Sequence, residues 1–132
     1  MYQYQVSFSD AVRRALTVNY CNFQGRASRS EYWWFCLFSF IVGCVFGILG
    51  FIAGEGSAMF NIVQVVNWIV SLALLLPSLG VLVRRLHDTG RSAWNILWFL
   101  LPVIGTIILI IYLVQDSTPS ANEYGPVPNV TE

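Results

Sequence analysis

Apolar residues along this chain fall into three long runs separated by short polar breaks. The runs cover residues 32–52 (YWWFCLFSFIVGCVFGILGFI), 60–83 and 93–114, and none contains Asp, Glu, Lys or Arg. Each is long enough to carry an α-helix across a hydrocarbon core, which takes roughly 20 residues. Upstream, Phe8, Val12, Leu16 and Tyr20 recur at every fourth position, with Ser9, Asp10, Arg13, Arg14 and Thr17 on the other side. That spacing predicts a short amphipathic helix lying on a membrane, apolar face toward the headgroups and arginines toward anionic lipid. The pattern divides the chain into a lead-in (1–31), a transmembrane domain (32–114) and an exposed polar tail (115–132). The expected fold class is an all-α membrane protein with three transmembrane helices behind a short interfacial helix.

Local signals refine these elements. Ser28-Arg29-Ser30-Glu31 is a capping box that starts the first helix, because the Ser28 hydroxyl and the Glu31 carboxylate can satisfy free N–H groups reciprocally. Tyr32, Trp33 and Trp34 follow as interfacial rings. Pro77, and Pro102 with Gly105, predict kinks in the second and third runs. A full break at Pro102 is the alternative for the third run, and it would return the tail to the side it came from.

Composition supports a membrane location. Hydrophobic residues make up 56% of the 132 and charged residues 11%, where a soluble domain carries about 25% charged. The first run exceeds the roughly 7–15 apolar residues of a cleaved signal and begins only after Asp10 and four arginines.

Net charge is zero, but its distribution is one-sided. All seven basic residues are arginines: Arg13, Arg14, Arg26 and Arg29 precede the first run, and Arg84, Arg85 and Arg91 separate the second from the third. The loop AGEGSAM between the first two runs has no basic residue, nor has the tail. With three crossings the positive-inside rule then predicts a cytoplasmic N-terminus and a periplasmic C-terminus.

Two stripes bear on partners. Gly43, Gly47, Gly50 and Gly54 share one helical face and predict close packing against the second run, the third run or another copy of the chain. Gln64, Asn67, Ser71 and Ser78 form a polar stripe on the second run. Lipid cannot satisfy an amide, so this stripe predicts interhelical hydrogen bonds, or a polar pathway in a small oligomeric transporter.

The densest chemistry is RRLHDTGRS, residues 84–92. His87 beside Asp88 suggests a general base and its orienting carboxylate, but no nucleophile accompanies them. His87 is the single histidine, and Cys21, Cys36 and Cys44 show no ligand spacing. No enzyme activity, metal or cofactor is therefore expected. Arg26, Arg29, Arg84, Arg85 and Arg91 lie at one depth beside two helix N-termini, an arrangement suited to anionic lipid headgroups. The competing role is structural: Arg84 and Arg85 capping helix carbonyls and pairing with Glu31 and Asp88. Too few arginines are free of the membrane for nucleic-acid binding.

The blocks GRASRSEYWWF, LPSLGVLVRRLHDTGRSAW, LLPVIG and NEYGPVP occur in the order found in the DUF805 family of small, YhaH-like bacterial inner-membrane proteins, which this chain resembles over residues 20–128. The resemblance implies an integral inner-membrane protein of few helices and brings no activity, substrate or cofactor.

Overall fold

The computed structural model describes residues 2–131 and is helical almost throughout. The chain runs through α1 (Phe8–Arg13), a π-helical stretch (Arg14–Val18), α2 (Arg29–Ala53), α3 (Ala58–Asp88), a 3-10 segment (Ala93–Leu100) and α4 (Ile104–Val114). Tyr2–Gln3 and Val130–Thr131 pair antiparallel, so the two ends of the chain meet.

Helices α2 and α3 form an antiparallel hairpin whose termini follow local chemistry. Ser28 Oγ accepts from the Glu31 N–H at 3.3 Å and Ser57 Oγ from the Phe60 N–H at 3.0 Å, capping each helix. Gly54, at φ +85°, takes the left-handed turn that ends α2. Pro77 lies inside α3 without ending it. Both helices are long and apolar enough to cross a membrane, yet only 11% and 22% of their most apolar windows are buried within the chain. A core helix of a soluble protein would be covered, so these surfaces are suited to lipid. With 31 residues, α3 is about 46 Å long, well beyond the roughly 30 Å of a hydrocarbon core. Its last nine residues, 80–88, are all buried, and this end of α3 is where the rest of the chain assembles.

The third apolar run departs from a single transmembrane helix. Residues 93–100 form the 3-10 segment, Leu101 is extended, and α4 starts at Ile104. Pro102 supplies the reason: it has no N–H to donate and disfavours helical backbone at the residue before it. The two arms fold against each other. A β-carbon built on Gly105 would overlap the Trp98 carbonyl oxygen and stand 3.0 Å from Leu101 Cβ, so only glycine fits. The segment returns to the end of α3 from which it departs, since Arg85 Nε donates to Leu113 O at 3.1 Å and the Thr118 N–H to Asp88 O at 2.9 Å. The 11 residues of α4 span about 16 Å, half a bilayer core. The tail returns to the lead-in, where the Tyr4 N–H donates to Asn129 O at 2.9 Å.

The lead-in also departs from a free surface helix. Ala11 and Ala15 are fully buried, and Phe8 meets Trp34 edge-on at 5.7 Å. Ala15 joins Ala27, Phe35 and Val81 in one small core, with Leu16 and Phe38 packed on it. The apolar face thus covers the chain's own helices where the α3 extension offers a wall. A second core of Leu82, Leu86, Leu109 and Leu113 binds α4 to α3. Among the described residues, Gly50 is the member of the glycine stripe that meets a neighbouring helix: a β-carbon there would stand 3.4 Å from Gln64 Nε2 and 3.5 Å from Phe60, while Gly43, Gly47 and Gly54 face open space.

Candidate functional site

The last turn of α3, the approach to α2 and the tail converge on Asp88, whose side chain is completely buried. Its Oδ1 accepts from Arg26 Nε at 3.0 Å, and its Oδ2 from Arg85 Nη1 and Ser117 Oγ. Arg26 then reaches the tail. Its Nη1 donates to Ser120 O at 2.9 Å and Gly125 O at 3.3 Å, its Nη2 to Thr118 O at 2.7 Å and Asp88 O at 3.3 Å. With Nε on Asp88, all five donors of this guanidinium are used. Arg85 donates to Leu113 O and Gln115 O besides Asp88. Burying two guanidiniums and one carboxylate is costly unless each is paired and saturated with hydrogen bonds, and here carbonyls of the last turn of α4 and of the tail supply most of the saturation.

Arg84 presents the opposite case. It is 3% exposed and meets Glu31 through Nη1 at 3.3 Å, while its Nε and Nη2 have no partner among the described residues. An unsatisfied buried donor costs on the order of 1–3 kcal/mol. This is the one arginine of the five whose bonding is incomplete at depth.

His87 and Asp88 do not form an acid–base pair. The imidazole lies flat against the Tyr124 ring, centroids 4.0 Å apart, with Nδ1 3.0 Å from Gly25 O. Asn122 Nδ2 donates to His87 O at 3.0 Å and fastens the tail to the same turn.

Arg29 and Arg91 remain nearer the surface. Arg29 is half exposed, donates to Val114 O at 3.1 Å and pairs with the outlying Asp116 at 3.1 Å. Arg91 stacks its guanidinium 3.8 Å from the Tyr112 ring centre and donates to Gln115 Oε1 at 2.8 Å. Two hollows flank the cluster. A groove of about 540 Å³ runs past Arg29 and Ser30 along Trp33, Trp34 and Leu37. A polar hollow of about 710 Å³ lies over Arg84 and Glu31, beneath Arg13, Arg14, Asn22 and Asn129. Of the five arginines considered from sequence, the structure therefore gathers Arg26 and Arg85 into the buried cluster, sets Arg84 on a hollow and leaves Arg29 and Arg91 at the rim.

Sequence reasoning missed the contributions of the tail and of Arg14. Backbone carbonyls carry no sequence signature, and only the NEYGPVP block hinted that residues 122–128 had a defined place.

Two long, sparsely covered apolar helices, closed at one end by a buried ion-pair cluster, define a small helical membrane protein. The chain belongs to the DUF805 family, described as a protein of unknown function, whose model matches residues 20–126. It is 42% identical over 118 residues to inner membrane protein YhaH of Escherichia coli (strain K12), covering 85% of this chain and 91% of that protein. It is 39% identical over 111 residues to inner membrane protein YhaI of the same strain, covering 83% and 88%. No solved structure matches it.

Proposed function

We propose that this chain is an integral protein of the bacterial inner membrane that binds an anionic phospholipid at its cytoplasmic face, in the groove headed by Arg29. Helices α2 and α3 cross the bilayer and residues 93–114 re-enter from the cytoplasmic side. Both termini are then cytoplasmic, with every arginine on that side as the positive-inside rule requires. The observation that carries the lipid reading is the groove itself. Arg29, paired with Asp116, sits with Ser30 at its polar end, while Trp33, Trp34 and Leu37 line the way toward the apolar surface of α2. A phosphodiester would meet the guanidinium and the N-terminus of α2, and an acyl chain the rings. Arg91, at the same rim, adds charge for a neighbouring headgroup. This reading assigns a binding role and no catalytic step.

Native mass spectrometry of the protein in gentle detergent tests it. With phosphatidylglycerol supplied, one or more lipids are expected to stay bound, and Arg29→Gln should cut retention several-fold relative to wild type. Equal retention of phosphatidylcholine, or no effect of Arg29→Gln, would sink the lipid reading. Topology has a separate check. A green fluorescent protein fused at the C-terminus is expected to fluoresce, and alkaline phosphatase fused there to stay inactive. An active phosphatase would place the tail outside.

A further inference from the structure

The lipid reading makes no use of Arg84. We propose that the hollow over Arg84 is a second, separate site, which binds the phosphate group of a small water-soluble solute.

Three observations converge. First, Arg84 is 3% exposed, yet two of its donor atoms, Nε and Nη2, have no partner among the described residues. Its neighbour Arg85, one residue on and fully buried, shares Asp88 and two carbonyls. The fold therefore saturates the guanidinium of Arg85 and leaves Nε and Nη2 of Arg84 buried and unpaired in a residue that lines a cavity. Second, that cavity of about 710 Å³ has Arg84 and Glu31 on its inner lining and Arg13 and Arg14 on its outer one. Arg14 is held in place by Asn129 Oδ1 at 2.7 Å and the Tyr4 hydroxyl at 3.3 Å. Arg13 is largely exposed beside Asp10 at 3.2 Å. A planar guanidinium with two free parallel donors matches an oxyanion.

Third, the walls differ in kind from those of the lipid groove. Thr17, Asn19, Asn22 and Gln24 line this hollow, with Val18 as its one large apolar side chain. Such walls offer hydrogen bonds to a hydroxyl-bearing body and no path for an acyl chain. Glu31 is the opposing element. Its carboxylate holds Arg84 Nη1 and repels an incoming anion, so the pair favours a ligand that takes the two open donors and leaves the ion pair intact.

Equilibrium dialysis of radiolabelled inorganic phosphate against the full chain in phosphatidylcholine nanodiscs reads the site directly. Saturable binding of one phosphate per chain is expected. Glu31→Gln keeps the size and hydrogen bonding of the residue but removes the repelling charge, so phosphate should bind about tenfold tighter, the worth of roughly one charge contact. Arg84→Gln should weaken binding by about tenfold or more, and Arg29→Gln should leave it unchanged. Should Arg84→Gln fail to fold, the Glu31→Gln result decides alone, since a purely structural Arg84–Glu31 pair predicts no gain in phosphate affinity. The proposal is overturned by absence of saturable binding in both wild type and Glu31→Gln, by Glu31→Gln binding no tighter than wild type, or by Arg29→Gln weakening it as Arg84→Gln does. Repeating the dialysis in phosphatidylglycerol nanodiscs separates the sources. Undiminished binding supports a soluble solute, whereas loss of phosphate binding there would assign the hollow to a lipid headgroup and overturn the solute reading. The groove is scored separately by lipid retention, so either site can fail without the other.

Discussion

Asp88→Ala is expected to destabilise the detergent-solubilised protein by about 3–5 kcal/mol, the usual cost of removing one partner from a buried ion pair. At a few degrees per kcal/mol for a chain of this size, its melting temperature should fall by more than about 10 °C. The size follows from what is left behind. Arg26 Nε and Arg85 Nη1 lose their carboxylate at a position with no solvent access, and Ser117 loses its acceptor. Asp88→Asn should lose less, because an amide oxygen still accepts while the charge compensation goes. Damage should also spread along the tail, since Arg26 holds Thr118, Ser120 and Gly125 through their carbonyls. Limited proteolysis of Asp88→Ala is therefore expected to cut within residues 115–126 well before the melting point. A melting temperature within about 2 °C of wild type, less than 1 kcal/mol on the same scale, would mean that the cluster is not buried as described.

Gly105→Ala should be nearly as severe. Most single-methyl insertions into a packed site cost about 1–3 kcal/mol because side chains can shift. Here the added carbon meets the Trp98 carbonyl, which belongs to the backbone of the facing arm. Relief requires the 3-10 segment and α4 to separate, so a loss of about 3 kcal/mol, at the upper end of that range, is expected. Pro102→Ala gives the contrast. It removes the cause of the break without adding volume at the contact, and its effect on the melting temperature should be the smaller of the two. If Gly105→Ala melts with wild type, the two arms of residues 93–114 do not touch.

Unbroken hydropathy made the two long helices legible, because a run of about 20 apolar residues has few other destinations. The Ser28 cap was equally local and equally readable, whereas Gly54, grouped with the helical glycine stripe, instead ends α2. The third run misled because hydropathy reports how apolar a segment is and says nothing about its path. Residues 93–114 are as apolar as a crossing helix, and the Pro102 break with the Gly105 contact decides that they double back. The arginines illustrate a different limit. All five were visible as a group at one depth, but whether a guanidinium is spent on the fold or open to a ligand depends largely on acceptors 24 to 99 residues away. Those acceptors are largely main-chain carbonyls, which every residue possesses.

The tail's hold on Arg26 also orders events in time. Arg26 and Arg85 leave the ribosome well before Leu113, Thr118, Ser120 and Gly125, whose carbonyls complete their bonding. Throughout synthesis the growing chain must keep those guanidiniums in water or at the headgroups. The cluster closes only when residues 113–125 follow the two long helices. Arrival of residues 113–125 thus becomes the step that seals the cluster, and a chain truncated before residue 113 would leave the Arg26 and Arg85 guanidiniums without those carbonyls.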